Sequence, residues 1–264
     1  ADGEAARHAA EGVAEGVGLF RTELCFLSAA AEPGVEQQAS IYASVLDAFP
    51  GAKVVVRTLD AGSDKPLVFA GLPDEANPAL GVRGLRIAMA HPGVLDRQLD
   101  AIALAAERSS AQVWVMAPMV STVEEAAFFA ERVRSRGLVP GAMIEVPSAA
   151  LLAAEILGEV DFVSLGTNDL TQYTMAADRL SPSLASLSDP WQPAVLRLVE
   201  MVARAGRDLG RPVGVCGEAA ADPLLAPVLV GLGVTSLSAA AAALPSVGAR
   251  LAGVSSDACR EAAR

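Results

Sequence analysis

Aromatic side chains are scarce in this sequence. Seven Phe, two Trp and two Tyr make up 4% of 264 residues, of which 52% are hydrophobic. A core built from it must be aliphatic, of the kind that fills layered α/β interiors with Val, Ile and Leu. Cysteine is sparse too: Cys25, Cys216 and Cys259 are far apart and odd in number. That excludes a disulfide framework or a zinc-ribbon pattern and suits a reducing, cytoplasmic compartment. Basic residues are outnumbered, with 20 Lys and Arg against 31 Asp and Glu and a net charge of −11. A nucleic-acid-binding surface, which needs clustered cations, is thereby excluded. Long apolar runs are missing as well; the short ones are broken by Pro, Gly or charge, so no membrane span is expected. The opening Ala1-Asp2-Gly3-Glu4 does not have the basic and apolar character of a signal peptide.

What is present is an alternation. Short apolar runs rich in Val, Ile or Leu fall at 17–20, 53–59, 113–117, 141–146, 160–165, 213–215 and 234–237, bounded by Gly or Pro. They read as buried parallel strands. Between them lie amphipathic stretches. Ile41, Val45, Leu46 and Phe49 share one helical face, and Val195, Leu198, Val199 and Val202 another, with Gly210 as a stop. Ser121-Thr122-Val123-Glu124 reads as a capping box opening a helix that ends near Gly137, and Ser148 as the cap of the next helix. Strand–helix repetition means a parallel sheet with right-handed crossovers. An open doubly wound sheet and a closed barrel both fit, and the lack of a dinucleotide-type glycine fingerprint lowers the former. Residues 1–264 are expected to form one barrel domain. Seven strands are legible rather than eight, and helix 3–11 comes first; the eighth strand is expected upstream of residue 1. Residues 61–83 hold no clear strand and read as a long functional loop.

Reactive side chains fall where the strands end: Arg21, then Arg57 and Asp60, Glu145, Asn168 and Asp169, and Cys216 with Glu218. In an α/β barrel such ends meet at one mouth, where active sites are built. Arginines there bind phosphate or carboxylate through their planar forks. Glu145 and Asp169 are suited to a hard divalent cation such as Mg2+.

These residues also sit in segments that resemble a known family. Gly16-Val17-Gly18-Leu19-Phe20-Arg21-Thr22-Glu23, Arg57-Thr58-Leu59-Asp60-Ala61-Gly62-Ser63-Asp64-Lys65 and Asn77-Pro78-Ala79-Leu80-Gly81-Val82-Arg83 are similar to its arginine motifs. Met143-Ile144-Glu145-Val146-Pro147 and the run from Gly166 to Thr174 are similar to its metal-site motifs. Ala176-Ala177-Asp178-Arg179 and Cys216-Gly217-Glu218 complete the series, in the family's order, over roughly residues 12–250. The chain resembles the C-terminal, phosphoenolpyruvate-binding TIM (β/α)8 barrel of phosphoenolpyruvate–protein phosphotransferase, Enzyme I of the bacterial sugar phosphotransferase system. Pyruvate phosphate dikinase and phosphoenolpyruvate synthase share part of the pattern, and a non-catalytic module that senses phosphoenolpyruvate is a further alternative. Departures include Ser63, where a second glycine is usual, and the alanine-rich run from Ser238 to Ala243.

The resemblance implies transfer of the phosphoryl group of phosphoenolpyruvate to a histidine, with release of pyruvate. By similarity Arg21, Arg57 and Arg179 hold phosphate and carboxylate, with Arg83 and Lys65 as helpers. Glu145 and Asp169 bind Mg2+, Asn168 contacts substrate, and Cys216 protonates the enolate methylene carbon. A thiol with its usual pKa of about 8.5 carries its proton at neutral pH. The acceptor histidine belongs to an N-terminal phosphohistidine domain of the same protein, which passes the phosphoryl group to a histidine phosphocarrier protein. Of the histidines here, His8 lies in the first helix and His91 in a turn before Pro92, neither in a phosphohistidine motif. A homodimer is likewise implied.

Overall fold

The computed structural model describes residues 3–23, 26, 31–62 and 75–264. In chain order the elements are α1 (Gly3–Ala10), β1 (Val17–Arg21), α2 (Val35–Leu46), β2 (Lys53–Arg57), α3 (Leu85–Ala90), α4 (Pro92–Glu107), β3 (Gln112–Ala117) and α5 (Val123–Arg134). There follow β4 (Val139–Ile144), α6 (Pro147–Leu151), α7 (Ala153–Glu159), β5 (Phe162–Gly166), α8 (Thr167–Met175), α9 (Pro193–Leu209) and β6 (Val213–Cys216). Last come α10 (Glu218–Ala221), α11 (Ala226–Leu232), β7 (Ser236–Ser238), α12 (Leu244–Ala252) and α13 (Ser256–Ala262). Short 3-10 turns lie at Pro78–Leu80, Pro182–Leu187 and Ala241–Ala243. Seven strands among the described residues, in the order β1 to β7, match the seven apolar runs of the sequence. The class is α/β of the TIM-barrel type, as expected.

Two compact units divide the chain, one of residues 1–119 and 128–140, the other of residues 120–127 and 141–264. In the first, β1, β2 and β3 pair in parallel, and Arg21 is in register with Arg57, which is in register with Met116. Val54, Val56 and Val115 are buried, as are Leu99 and Ile102 on α4. Phe20 meets Tyr42 of α2 edge to face at 6.0 Å. Burying each such large apolar side chain contributes roughly 1.5–3 kcal/mol. In the second unit β4 to β7 are parallel, with Gly166 in register with Cys216 and Cys216 with Ser238. Helix α9 buries Val195, Val199 and Val202 and stops at Gly210, whose φ is +65°.

Several local expectations are corrected. Ile41 and Leu198 are only half-buried; the inner face of α2 carries Gln38, Ala39, Tyr42, Val45 and Leu46 instead. The capping box of α5 lies one residue further on. The Glu125 N–H donates to Thr122 Oγ1 at 3.2 Å, and Glu125 Oε2 accepts from the Thr122 N–H at 3.2 Å and the Ser121 N–H at 2.6 Å. Ser148 caps nothing. Val146 precedes α6, Pro147 opens it, and Ser148 Oγ donates to the Ser121 carbonyl at 3.0 Å. The helix drawn through Leu151, Leu152 and Ile156 is broken at Leu152 into α6 and α7.

Candidate functional site

Both units put polar side chains at the C-terminal ends of their strands. In the first, β1 ends at Arg21, which is exposed, and β2 ends at Arg57, which is buried. A chain of four buried charges follows. The Arg57 guanidinium reaches Glu23 through Nη2 and Asp60 Oδ2 through Nη1, the latter at 3.2 Å. Asp60 also accepts from Arg83 Nη2, at 3.2 and 3.1 Å to its two oxygens. Two guanidiniums and two carboxylates balance, which is what lets them lie in the interior at all. Arg83 is held in turn by its loop: the Gly84 N–H donates to the Ala61 carbonyl at 2.9 Å.

In the second unit, Glu145 follows β4 and is almost wholly buried, at 1% exposure. A Cβ on Gly166, at the end of β5, would stand 2.7 Å from Glu145 Oε2. The missing side chain is therefore the room the carboxylate occupies. Asn168 and Asp169 sit in the first turn of α8. Gly166 is the N-cap residue of that helix. Asp169 is buried and accepts from Arg179 Nη1 at 3.4 Å, while the backbone N–H of Arg179 donates to Gln172 Oε1 at 3.2 Å. Asn168 Oδ1 accepts the Glu218 N–H at 2.9 Å, and Thr167 Oγ1 donates to the Cys216 carbonyl at 2.8 Å. These bonds tie the β5 and β6 ends together. Cys216 closes β6, 2% exposed. Its thiol donates to the Leu165 carbonyl at 3.3 Å and accepts from Ser164 Oγ at 3.6 Å. Gly217 then turns the chain with φ +90°, and a Cβ there would lie 2.6 Å from Thr167 Oγ1 and 2.7 Å from Asn168 Oδ1.

Glu145 and Asp169 carry hard oxygen donors of the kind Mg2+ takes, both are buried, and they follow β4 and β5, which pair in the sheet. Among the described residues no group of three or more His, Cys, Asp and Glu could hold a metal. An ion there would draw its other ligands from substrate and water, as Mg2+ commonly does.

Lys65, like Cys25, lies outside the described residues. His8 and His91 are exposed, His91 between α3 and α4. Trp114 is half-buried under Lys53, whose Nζ is 4.8 Å from the ring centroid, and Trp191 donates to Asp222 at 2.9 Å. Glu23, Ser164 and Gln98 are polar residues of this region beyond those that the sequence singled out. Gln98 carried a readable signal: it is an amide on the apolar face of α4, spaced with Leu95, Leu99 and Ile102.

The sequence matches the family of PEP-utilising enzymes, PEP-binding domain, over residues 1–256. It is 57% identical over 258 residues to a phosphoenolpyruvate-protein phosphotransferase of Streptomyces coelicolor, covering 97% of this chain and 46% of that protein. It is 45% identical to a multiphosphoryl transfer protein of Rhodobacter capsulatus, covering 91% of this chain and 30% of that one. A phosphoenolpyruvate-protein phosphotransferase of Haloferax volcanii is 44% identical over 90% of this chain and 45% of its own length. The chain thus spans half or less of the length of these relatives. Among solved structures, an HpcH/HpaI aldolase/citrate lyase family protein from Burkholderia cenocepacia aligns with TM-score 0.55 and 17% identity, over 95% of this chain and 88% of that one. An HpcH/HpaI aldolase from Desulfitobacterium hafniense aligns with TM-score 0.52 and 19% identity, over 95% and 86%. At such identities the likeness speaks to the fold alone. The match over residues 1–256 establishes that the chain belongs to the PEP-utilising enzymes, as their PEP-binding domain.

Proposed function

We propose that the chain binds phosphoenolpyruvate with Mg2+ and, within a longer protein, serves transfer of its phosphoryl group to a histidine of an N-terminal phosphohistidine domain. Pyruvate is the other product. The observation that carries this reading is the type of residue at the strand ends. Arginines stand at the ends of β1 and β2, buried carboxylates follow β4 and β5, and a thiol closes β6. Arg21, Arg57 and Arg179 take the phosphate and carboxylate, assisted by Arg83 and Lys65. Asn168 and Asp169 orient the substrate. Glu145 and Asp169 would hold Mg2+, which when bound neutralises charge on phosphate and enolate oxygens.

As the phosphorus–oxygen bond breaks, the electron pair stays on the enolate of pyruvate. Cys216 then gives its proton to the methylene carbon. The thiol donates to the Leu165 carbonyl at 3.3 Å, a bond that only the protonated form can make. Arginine positioning and charge neutralisation supply the rest, as expected for phosphoryl transfer. In this reading the protein works in the cytoplasm as a homodimer and hands phosphoryl groups to a histidine phosphocarrier protein at the start of sugar uptake. Family membership and the ordered motifs support that wider role. Among the described residues no helix is long and apolar enough to cross a membrane.

The test supplies a phosphohistidine domain in trans with phosphoenolpyruvate and Mg2+, and measures pyruvate. The chain is expected to release pyruvate and Cys216→Ala to release none while still binding phosphoenolpyruvate. Equal pyruvate from both would remove Cys216 from the chemistry.

A further inference from the structure

A buried line of hydrogen bonds runs beneath the arginine ends of β1 and β2. The Leu59 N–H donates to Gln98 Oε1 at 2.9 Å. Gln98 Nε2 donates to Thr22 Oγ1 at 2.9 Å and to the Tyr42 hydroxyl at 3.1 Å. Thr22 Oγ1 donates to the Arg57 carbonyl at 2.9 Å, and Tyr42 donates to Gln38 Oε1 at 3.0 Å. Gln38 Nε2 closes the line on the Pro33 carbonyl at 2.7 Å. Gln98 is 1% exposed, and Thr22, Gln38 and Tyr42 are fully buried.

The direction of every bond is forced from its ends. A carbonyl can only accept, so Gln38 donates to Pro33 and turns its oxygen to Tyr42. Tyr42 must then accept from Gln98. A backbone N–H can only donate, so Gln98 presents its oxygen to Leu59 and its NH2 to the two hydroxyls. One amide thereby fixes the residue after Arg21 and the residue two beyond Arg57. Arg21 and Arg57, the neighbours of these two residues, carry guanidiniums assigned to substrate.

We infer that Gln98 is a positioning residue of the phosphoenolpyruvate site: it sets the spacing of the Arg21 and Arg57 backbones. The inference rests on the proposed function. Gln98→Leu removes the amide at similar bulk, and Gln98→Glu keeps an acceptor for Leu59 but cannot donate. Either change leaves Thr22 free to turn from the Arg57 carbonyl.

Calorimetry with phosphoenolpyruvate and Mg2+ tests this in two backgrounds. Gln98→Leu should weaken binding roughly five- to tenfold, the loss of one or two buried hydrogen bonds. In an Arg57→Ala background it should add clearly less, because the part of the effect that travels through Arg57 is already gone. A purely structural amide would lower the melting temperature of both and leave the affinity of the folded protein unchanged; that result, or an equal loss in both backgrounds, overturns the inference. Should Gln98→Leu fail to fold, Thr22→Val carries the test: it breaks the same link by an isosteric change and should weaken binding severalfold, and wild-type affinity refutes the link. Hydrogen exchange of the Leu59 amide is independent of substrate. Faster exchange in Gln98→Leu, which removes the acceptor, is expected, and unchanged exchange contradicts the assignment even if the wild-type chain binds no phosphoenolpyruvate, the result that would sink the functional reading itself.

Discussion

Asp60 is the carboxylate shared by two buried guanidiniums, those of Arg57 and Arg83. Removing it leaves two cations facing each other in the interior, with Glu23 as the remaining carboxylate of the chain of charges. Breaking a buried pair in this way costs about 3–5 kcal/mol. Asp60→Ala should lower the unfolding free energy by about that much in urea titration, whereas a loss under about 1 kcal/mol would mean the pair behaves as an exposed one. Arg57 itself was legible in the sequence, because a charge directly after Val54-Val55-Val56 has no reason to sit there unless the strand end is polar. Glu23 was not, since its partner lies 34 residues away. Nor did one-dimensional spacing reveal that Ser164 would face the Cys216 thiol, 52 residues on.

At the scale of elements, all seven strands could be read in advance, because strands buried on both faces are continuous apolar runs. Their ends moved by a residue or two: β2 stops at Arg57 and β4 begins at Val139. Helix starts were harder to read. Ser121 and Thr122 are adjacent, as are Glu124 and Glu125, so the capping pattern fits in two registers and only hydrogen bonding selects Thr122 with Glu125. Thr122→Ala should therefore cost about 1 kcal/mol in a thermal melt, with Ser121→Ala near neutral; the reverse order would restore the earlier register. The turn from β6 into α10 makes a sharper demand. At Gly217 the backbone φ is +90° and the space for a Cβ is filled by Thr167 and Asn168. Gly217→Ala should cost at least about 1–2 kcal/mol from the left-handed backbone alone. A variant as stable as wild type would show that this turn relaxes freely.

For the molecule as a whole, the net charge of −11 is at odds with an anionic substrate unless the positive charge is local. At the β1 and β2 ends Arg57 and Arg83 are balanced by Glu23 and Asp60, and Arg21 is an exposed cation, so in the proposed reading a divalent cation would add the positive charge that the substrate needs. The class of fold was legible from alternation, and the choice of barrel over open sheet came from resemblance rather than from periodicity. Cation dependence follows from the same charge argument. Glu145→Gln should reduce the gain in phosphoenolpyruvate affinity that Mg2+ brings while leaving cation-free binding near its wild-type level, as read by titration at fixed substrate. The most direct measurement is a calorimetric titration of the chain with phosphoenolpyruvate, with and without Mg2+. One-site binding that Mg2+ tightens and Arg57→Ala weakens is the expected result; no heat of binding in either condition, or binding that ignores both changes, would contradict the account.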